Sequence, residues 1–289
     1  MNTIQQIEIR KVRDFGEIIS VTFEFIRKHF KNLMRIMFII PGPMFILGGI
    51  IMSIYSYRIG RLAQSNPDPG SFFLGVIGIF IIAAIILGIG NLMLLLSINE
   101  YIVLNLKKGS DEITLRELWG NIKRSFWNYL GGGIVIGIIV GVGSLFLIIP
   151  GIYLSIALIF VMIAISTEKK MFGDAIARSF YLIKGNWWST FGLMVVLAIM
   201  QLLITYTLML PFYAVNWISA LFVDSMLMND SDFYLIYSVV EGILFYTLAM
   251  VVSTIPYIAI VFKYFSIVEE KDEVGMQERI MQMGMPETE

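Results

Sequence analysis

Five stretches of the chain contain no Asp, Glu, Lys or Arg: 36–57, 69–99, 129–167, 185–223 and 242–262. A helix needs about 20 apolar residues to cross the roughly 30 Å of hydrocarbon in a bilayer. The first, second and last stretches each hold one crossing. The stretch 129–167 has 39 residues, about 58 Å of helix at 1.5 Å per residue, enough for two crossings around a tight turn. Pro150-Gly151 supplies the turn signal, so 129–149 and 152–167 read as a hairpin. The stretch 185–223 holds one crossing over 189–213, then an amphiphilic segment around Pro211, Asn216 and Trp217. The last crossing runs over 234–265, with Glu241 inside it and a kink at Pro256. The count is six. Composition agrees: 57% of residues are hydrophobic and 15% charged, against about 45–50% and 25% in soluble domains.

Lys and Arg in the loops set the orientation. The segments 1–35, 100–128 and 168–188 and the tail after 262 together hold 19 of the 21 basic residues. The opposite side holds only Arg58 and Arg61, and 216–233 carries Asp224, Asp230 and Asp232. Both termini are therefore expected on the cytoplasmic side. The opening MNTIQQIEIRKVRDFGE lacks the apolar core of a secretory signal peptide, so the first crossing is expected to direct insertion.

Each odd-numbered crossing follows an amphipathic segment. Phe15, Ile18, Ile19, Thr22, Phe23, Ile26 and Phe30 match Phe172, Ala175, Ile176, Ser179, Phe180, Ile183 and Trp187 at a constant offset of 157. Leu115, Leu118, Trp119, Ile122, Phe126 and Leu130 match the first set at an offset of 100. The spacing is one face of a helix, and an acid recurs in register as Glu17, Glu117 and Asp174. Aromatic residues stand at the junctions: Phe30, Trp127 with Tyr129, and Trp187-Trp188, as interfacial anchors. The expected fold is an all-α integral membrane protein. Its six transmembrane helices form three hairpins, each preceded by a cytoplasmic interfacial amphipathic helix. Residues 1–268 make one membrane domain of repeat-like units 13–105, 113–167 and 171–268, and 269–289 is a flexible cytoplasmic tail. All three units start on the same side, so the repeats are parallel and not inverted.

The chemistry on offer is sparse. There is no cysteine, and His29 is the single histidine, which excludes thiolate and multi-histidine metal sites. No nucleophile elbow, phosphate loop, zinc-protease or calcium-loop motif is present. No catalytic residue, cofactor or metal is expected, and a net charge of −1 gives nucleic acid no purchase. Intramembrane ionisable groups are functional candidates by default. Glu241, with Asn91, is therefore the candidate polar site. Glu100 is expected at the cytoplasmic interface beside Lys107 or Lys108, and His29 near lipid headgroups. The triplet Gly133, Gly137 and Gly141 is a double GxxxG and marks close helix packing, either within the monomer or between copies.

The run 146–196, FLIIPGIYLSIALIFVMIAISTEKKMFGDAIARSFYLIKGNWWSTFGLMVV, resembles the membrane domain attached to some bacterial glycerophosphoryl diester phosphodiesterases and its stand-alone relatives. The matching positions are Pro150, Gly151, Tyr153, Glu168, Ala175, Ser179, Lys184, Gly185 and Trp187. The phosphodiesterase barrel has no counterpart here, so the resemblance implies a bacterial multi-pass inner-membrane protein and no hydrolase activity.

Two roles compete. One is a non-enzymatic scaffold or complex subunit, its partners being membrane lipids and other membrane proteins, a second copy among them. The other is a transporter or lipid-handling protein using polar residues such as Glu241. Polar residues from different crossings meeting in a cavity would favour the second role, and an all-apolar interior the first.

Overall fold

The computed structural model describes residues 8–64, 69–108, 113–146, 148–222 and 231–273. Among these residues there are nine helices and no strand: α1 (Phe15–Ile39), α2 (Gly42–Gln64), α3 (Pro69–Lys108), α4 (Leu115–Phe146), α5 (Ile148–Ala157), α6 (Val161–Glu168), α7 (Phe172–Ile183), α8 (Trp187–Phe222) and α9 (Ser231–Asp272). Five stretches of helix are long and apolar enough to cross a membrane, and six if α1 and α2 count together as one bent crossing. The helices fall into two compact units. Among the described residues, one comprises those within 8–33, 95–198 and 255–273, the other those within 34–94 and 199–254.

In the first unit, α4 packs on α5, and α6 on α7. The core is aromatic and aliphatic, with Phe25, Tyr101, Tyr129, Phe160, Phe262 and Tyr264 all almost fully buried. The three amphipathic segments turn equivalent residues inward. Ile18, Leu118 and Ala175 are buried, as are Thr22, Ile122 and Ser179. The acid in common has a local cause. Asp14 Oδ1 accepts from the Glu17 N–H at 2.8 Å while Glu17 Oε2 accepts from the Asp14 N–H at 3.3 Å, a reciprocal capping box. Thr114 Oγ1 accepts from the Glu117 N–H at 3.3 Å in the same way. Asp174 sits in the first turn of α7 without a side-chain cap, where its charge suits the helix dipole. Helix α7 ends before Gly185, whose φ of +85° falls in the region that only glycine adopts without strain.

The fourth expected crossing is broken at 158–160, between α5 and α6. The Ala157 carbonyl and the Phe160 N–H lose their helical partners there, because the Val161 N–H bonds to Leu158 O at 3.1 Å and the Ile159 N–H to Ile156 O at 3.3 Å. Ser179 on α7 supplies both replacements. Its hydroxyl donates to Ala157 O at 2.7 Å and accepts from the Phe160 N–H at 3.3 Å. An unpaired backbone group in lipid is costly, and this one side chain makes the break tolerable.

In the second unit, the first expected crossing, 36–57, is divided between α1 and α2, which meet at 54°. Pro41 and Pro43 remove two donors and stop α1 from continuing. The Met44 N–H bonds to Pro41 O at 2.9 Å and starts α2 afresh.

Other expectations shift. Helix α4 runs unbroken from its amphipathic start through Gly131-Gly132-Gly133, so no separate interfacial helix precedes the third crossing. Pro150 and Gly151 lie in the first turn of α5 and do not form the hairpin turn. A proline is tolerated there because first-turn N–H groups have no helical acceptor. The segment around Pro211, Asn216 and Trp217 extends α8. Residues 269–272 of the expected flexible tail belong to α9, and 274–289 lie outside the described residues.

Candidate functional site: a polar cavity around Glu241

Two helical faces build the site, both in the second unit. On α9, Ser238, Glu241, Gly242, Phe245 and Tyr246 follow the i, i+3, i+4, i+7, i+8 spacing of one face. On α2, Gly49, Met52, Ser53, Ser56 and Tyr57 repeat it. The faces meet at a glycine pair. A Cβ on Gly49 would lie 2.8 Å from Gly242 O, and one on Gly242 would lie 2.9 Å from Gly49 O and collide with Ser53 Oγ. Main chain therefore touches main chain. Beside that contact the two stripes line an open-sided cavity of about 280 Å³ formed by Met52, Ser53, Ser56, Tyr57, Ser238, Glu241, Gly242, Phe245 and Tyr246.

Glu241 is half-buried and takes a hydrogen bond from Asn216 Nδ2 of α8 at 2.9 Å on Oε1. No Lys, Arg or His pairs with it among the described residues. Ser53 donates to Gly49 O at 2.8 Å and Ser238 to Leu235 O at 2.9 Å. Further along α8 and α9, Gln201 Nε2 donates to Ser253 Oγ at 2.9 Å. Asn91, expected to share the site, does not line the cavity, and its Nδ2 donates to Leu87 O of its own helix at 3.0 Å.

The expected glycine packing is distributed differently. A Cβ on Gly137 or Gly141 would meet nothing within 4 Å, and Gly133 is half-buried. Close approaches on α4 occur instead at Gly132, against Phe172 and Met162, and at Gly143, against Leu154 and Gly151. Among the aromatic anchors, Phe30, Trp127 and Trp188 are exposed. Trp187 is stacked on Tyr153 and Phe191, with its indole N–H on Tyr153 O at 3.3 Å.

The first unit carries polar groups that the charge pattern alone does not reveal. Glu100 is buried and meets neither Lys107 nor Lys108. Its Oε1 accepts from Ser166 at 3.1 Å and Ser125 at 3.3 Å and faces Lys169 Nζ at 3.8 Å, while Lys108 pairs with Glu117 at 2.8 Å. Tyr129, expected at the interface, is fully buried. It donates to Met162 O at 2.6 Å, accepts from Asn99 Nδ2 at 3.1 Å and touches Ser166 Oγ. Its phase was readable: Leu118, Ile122 and Tyr129 fall on one helical face. His29 Nδ1 lies 3.0 Å from Tyr101 OH, and its ring packs on Phe25.

Arg178 on α7 ties two helix ends together. Its Nε donates to Glu168 Oε1 at 2.9 Å, and its Nη2 to Asp272 Oδ2. Burial alone would lower its pKa, but the bonds to Asp272 and Glu168 outweigh that and raise it above the usual value. Lys271 Nζ caps α7 through Tyr181 O at 2.6 Å and Lys184 O at 2.7 Å. This cluster is fully paired and holds α6, α7 and α9 together. The Glu241 cavity, by contrast, has room and uncommitted polar atoms.

The helices are those of an all-helical protein compatible with several membrane crossings. Residues 60–267 match the family described as Domain of unknown function (DUF7847), and the chain belongs to that family. No curated protein and no solved structure matches the chain.

Proposed function

We propose that this chain is a non-enzymatic protein of the bacterial inner membrane that handles a small ligand or a lipid headgroup in the Glu241 cavity. The observation that carries this reading is the meeting of polar stripes from α2 and α9, with Asn216 of α8 bonded to Glu241. Polar residues from separate helices converging on a cavity are what a ligand path needs, and intramembrane carboxylates mark such paths. The likeness of 146–196 to a phosphodiesterase membrane domain lacking its barrel is in keeping with a role without hydrolysis. The loop charges support six crossings with both termini cytoplasmic.

A scaffold role is the second reading. The exposed Trp119, Lys123 and Trp127 on α4 favour it, since they offer membrane lipids, other membrane proteins or a second copy an unpartnered basic and aromatic face. One assay separates the two. Glu241→Gln is expected to abolish complementation of a deletion strain while the protein inserts and accumulates normally. Full complementation by Glu241→Gln, with loss on charge reversal of Arg27 and Lys28, hands the role to the scaffold.

A further inference from the structure

We infer that the Glu241 cavity binds an ammonium group, carried by a small amine or by an aminophospholipid headgroup. This rests on the ligand-handling role and names its ligand class. It follows from which hydrogen-bonding groups the wall leaves over. A carboxylate offers acceptors only. Asn216 occupies Oε1 of Glu241 at 2.9 Å, which leaves Oε2 to the cavity. A serine hydroxyl has one proton, and Ser53 and Ser238 commit theirs to Gly49 O and Leu235 O. What these two serines present is lone pairs.

Ser56, Tyr57 and Tyr246 add hydroxyls of both kinds, so the carboxylate of Glu241 decides the sign: the occupant must bring positive charge and at least one donor. Phosphate, carboxylate or chloride would sit against the like charge of Glu241. An ammonium brings N–H donors for Glu241, Ser53 and Ser238 together with the opposite charge. Beyond Met52 and Ser56, the remaining wall is aromatic: Tyr57, Phe245 and Tyr246, the last two edge to face at 5.2 Å. Aromatic faces attract organic cations, a feature that a bare sodium ion bound through oxygens does not use. The volume of about 280 Å³ falls just below that of drug-sized ligand pockets and suits a smaller, headgroup-sized amine.

The test uses the full chain purified in mild detergent, titrated calorimetrically with ethanolamine hydrochloride. Saturable binding is expected, with none for glycerol, acetate or sodium chloride. Glu241→Gln preserves shape and should weaken ethanolamine about 10- to 100-fold, the contribution of a charge-assisted hydrogen bond. Glu241→Asp keeps the charge and should retain part of the affinity, which separates loss of chemistry from loss of fold. Native mass spectrometry after reconstitution in vesicles of phosphatidylethanolamine and phosphatidylglycerol assigns the source. Retention of phosphatidylethanolamine by wild type and its loss in Glu241→Gln identifies the lipid; ethanolamine binding without lipid retention identifies a soluble amine. Equal ethanolamine binding by wild type and Glu241→Gln, or no binding of either probe, overturns the assignment. If neither probe binds while Glu241→Gln still abolishes complementation, the ammonium assignment fails and ligand handling stands. If Glu241→Gln is silent in both assays, both fall.

Discussion

Ser179→Ala removes one oxygen and strands two backbone groups. Ser179 is completely buried, and its hydroxyl is the partner of both Ala157 O and the Phe160 N–H at the break in the fourth crossing. Leaving a buried donor or acceptor unsatisfied costs about 1–3 kcal/mol. The carbonyl at 2.7 Å loses more than the N–H at 3.3 Å, so a combined loss of about 2–4 kcal/mol is expected. For a chain of this size, each kcal/mol lowers the melting temperature by about 2–4 °C. The variant should therefore melt roughly 5–15 °C below wild type. Melting in detergent is commonly irreversible, so the two proteins must be compared at one heating rate. The readout is the temperature at which the monodisperse size-exclusion peak of a fluorescently tagged protein collapses. Ser155→Ala is the control, because Ser155 is exposed and bonds only to Ile152 O within its own turn. If Ser179→Ala melts with Ser155→Ala and wild type, the break does not depend on α7 for its hydrogen bonds, and the role assigned to Ser179 is refuted.

Gly242→Leu should sharply reduce the yield of monodisperse protein, because its Cβ meets Gly49 O at 2.9 Å and the Ser53 hydroxyl; Gly137→Leu, with nothing within 4 Å, should accumulate like wild type, and equal yields would refute the glycine contact. Arg178→Ala should cost about 2–3 kcal/mol, between an exposed and a buried pair, and Arg178→Lys should recover only part of it, since one ammonium does not replace a planar fork serving Glu168 and Asp272; a thermal melt of Arg178→Lys equal to wild type would contradict this. The chain has no native cysteine, so single cysteines report topology cleanly: Arg58→Cys should react with an impermeant maleimide in intact cells and Lys170→Cys should not, and the reverse result would overturn the orientation.

Helices long and apolar enough to span a membrane were legible because charge is nearly binary along this chain and lipid leaves an open backbone no partner. The three amphipathic phases were legible too, since burial at Ile18, Leu118 and Ala175 depends on local periodicity alone. Positions of helix ends were less so. The amphipathic segment before the third expected crossing read as a separate interfacial helix, yet α4 runs straight on through Gly131-Gly132-Gly133. The cavity escaped for a different reason. Attention to charged residues isolates Glu241 and ignores Ser53, Ser56 and Ser238, which are unremarkable in an apolar run until α2 and α9 bring them together. The partners of Glu100 were missed likewise: Ser125 and Ser166 lie 25 and 66 residues away along the chain, and no local pattern announces them.

The contact between Gly49 and Gly242 has a consequence for how such a protein can diversify. The distance between α2 and α9 is fixed by atoms that every amino acid shares, so it does not depend on which side chains line the space beside it. Ser56, Ser238 and Tyr246 can be exchanged one at a time while the walls keep their separation. A lineage carrying the glycine pair is thus free to change what its cavity accepts by single substitutions, with the frame inherited intact. A lineage that loses either glycine must rebuild the crossing before it can tune anything else.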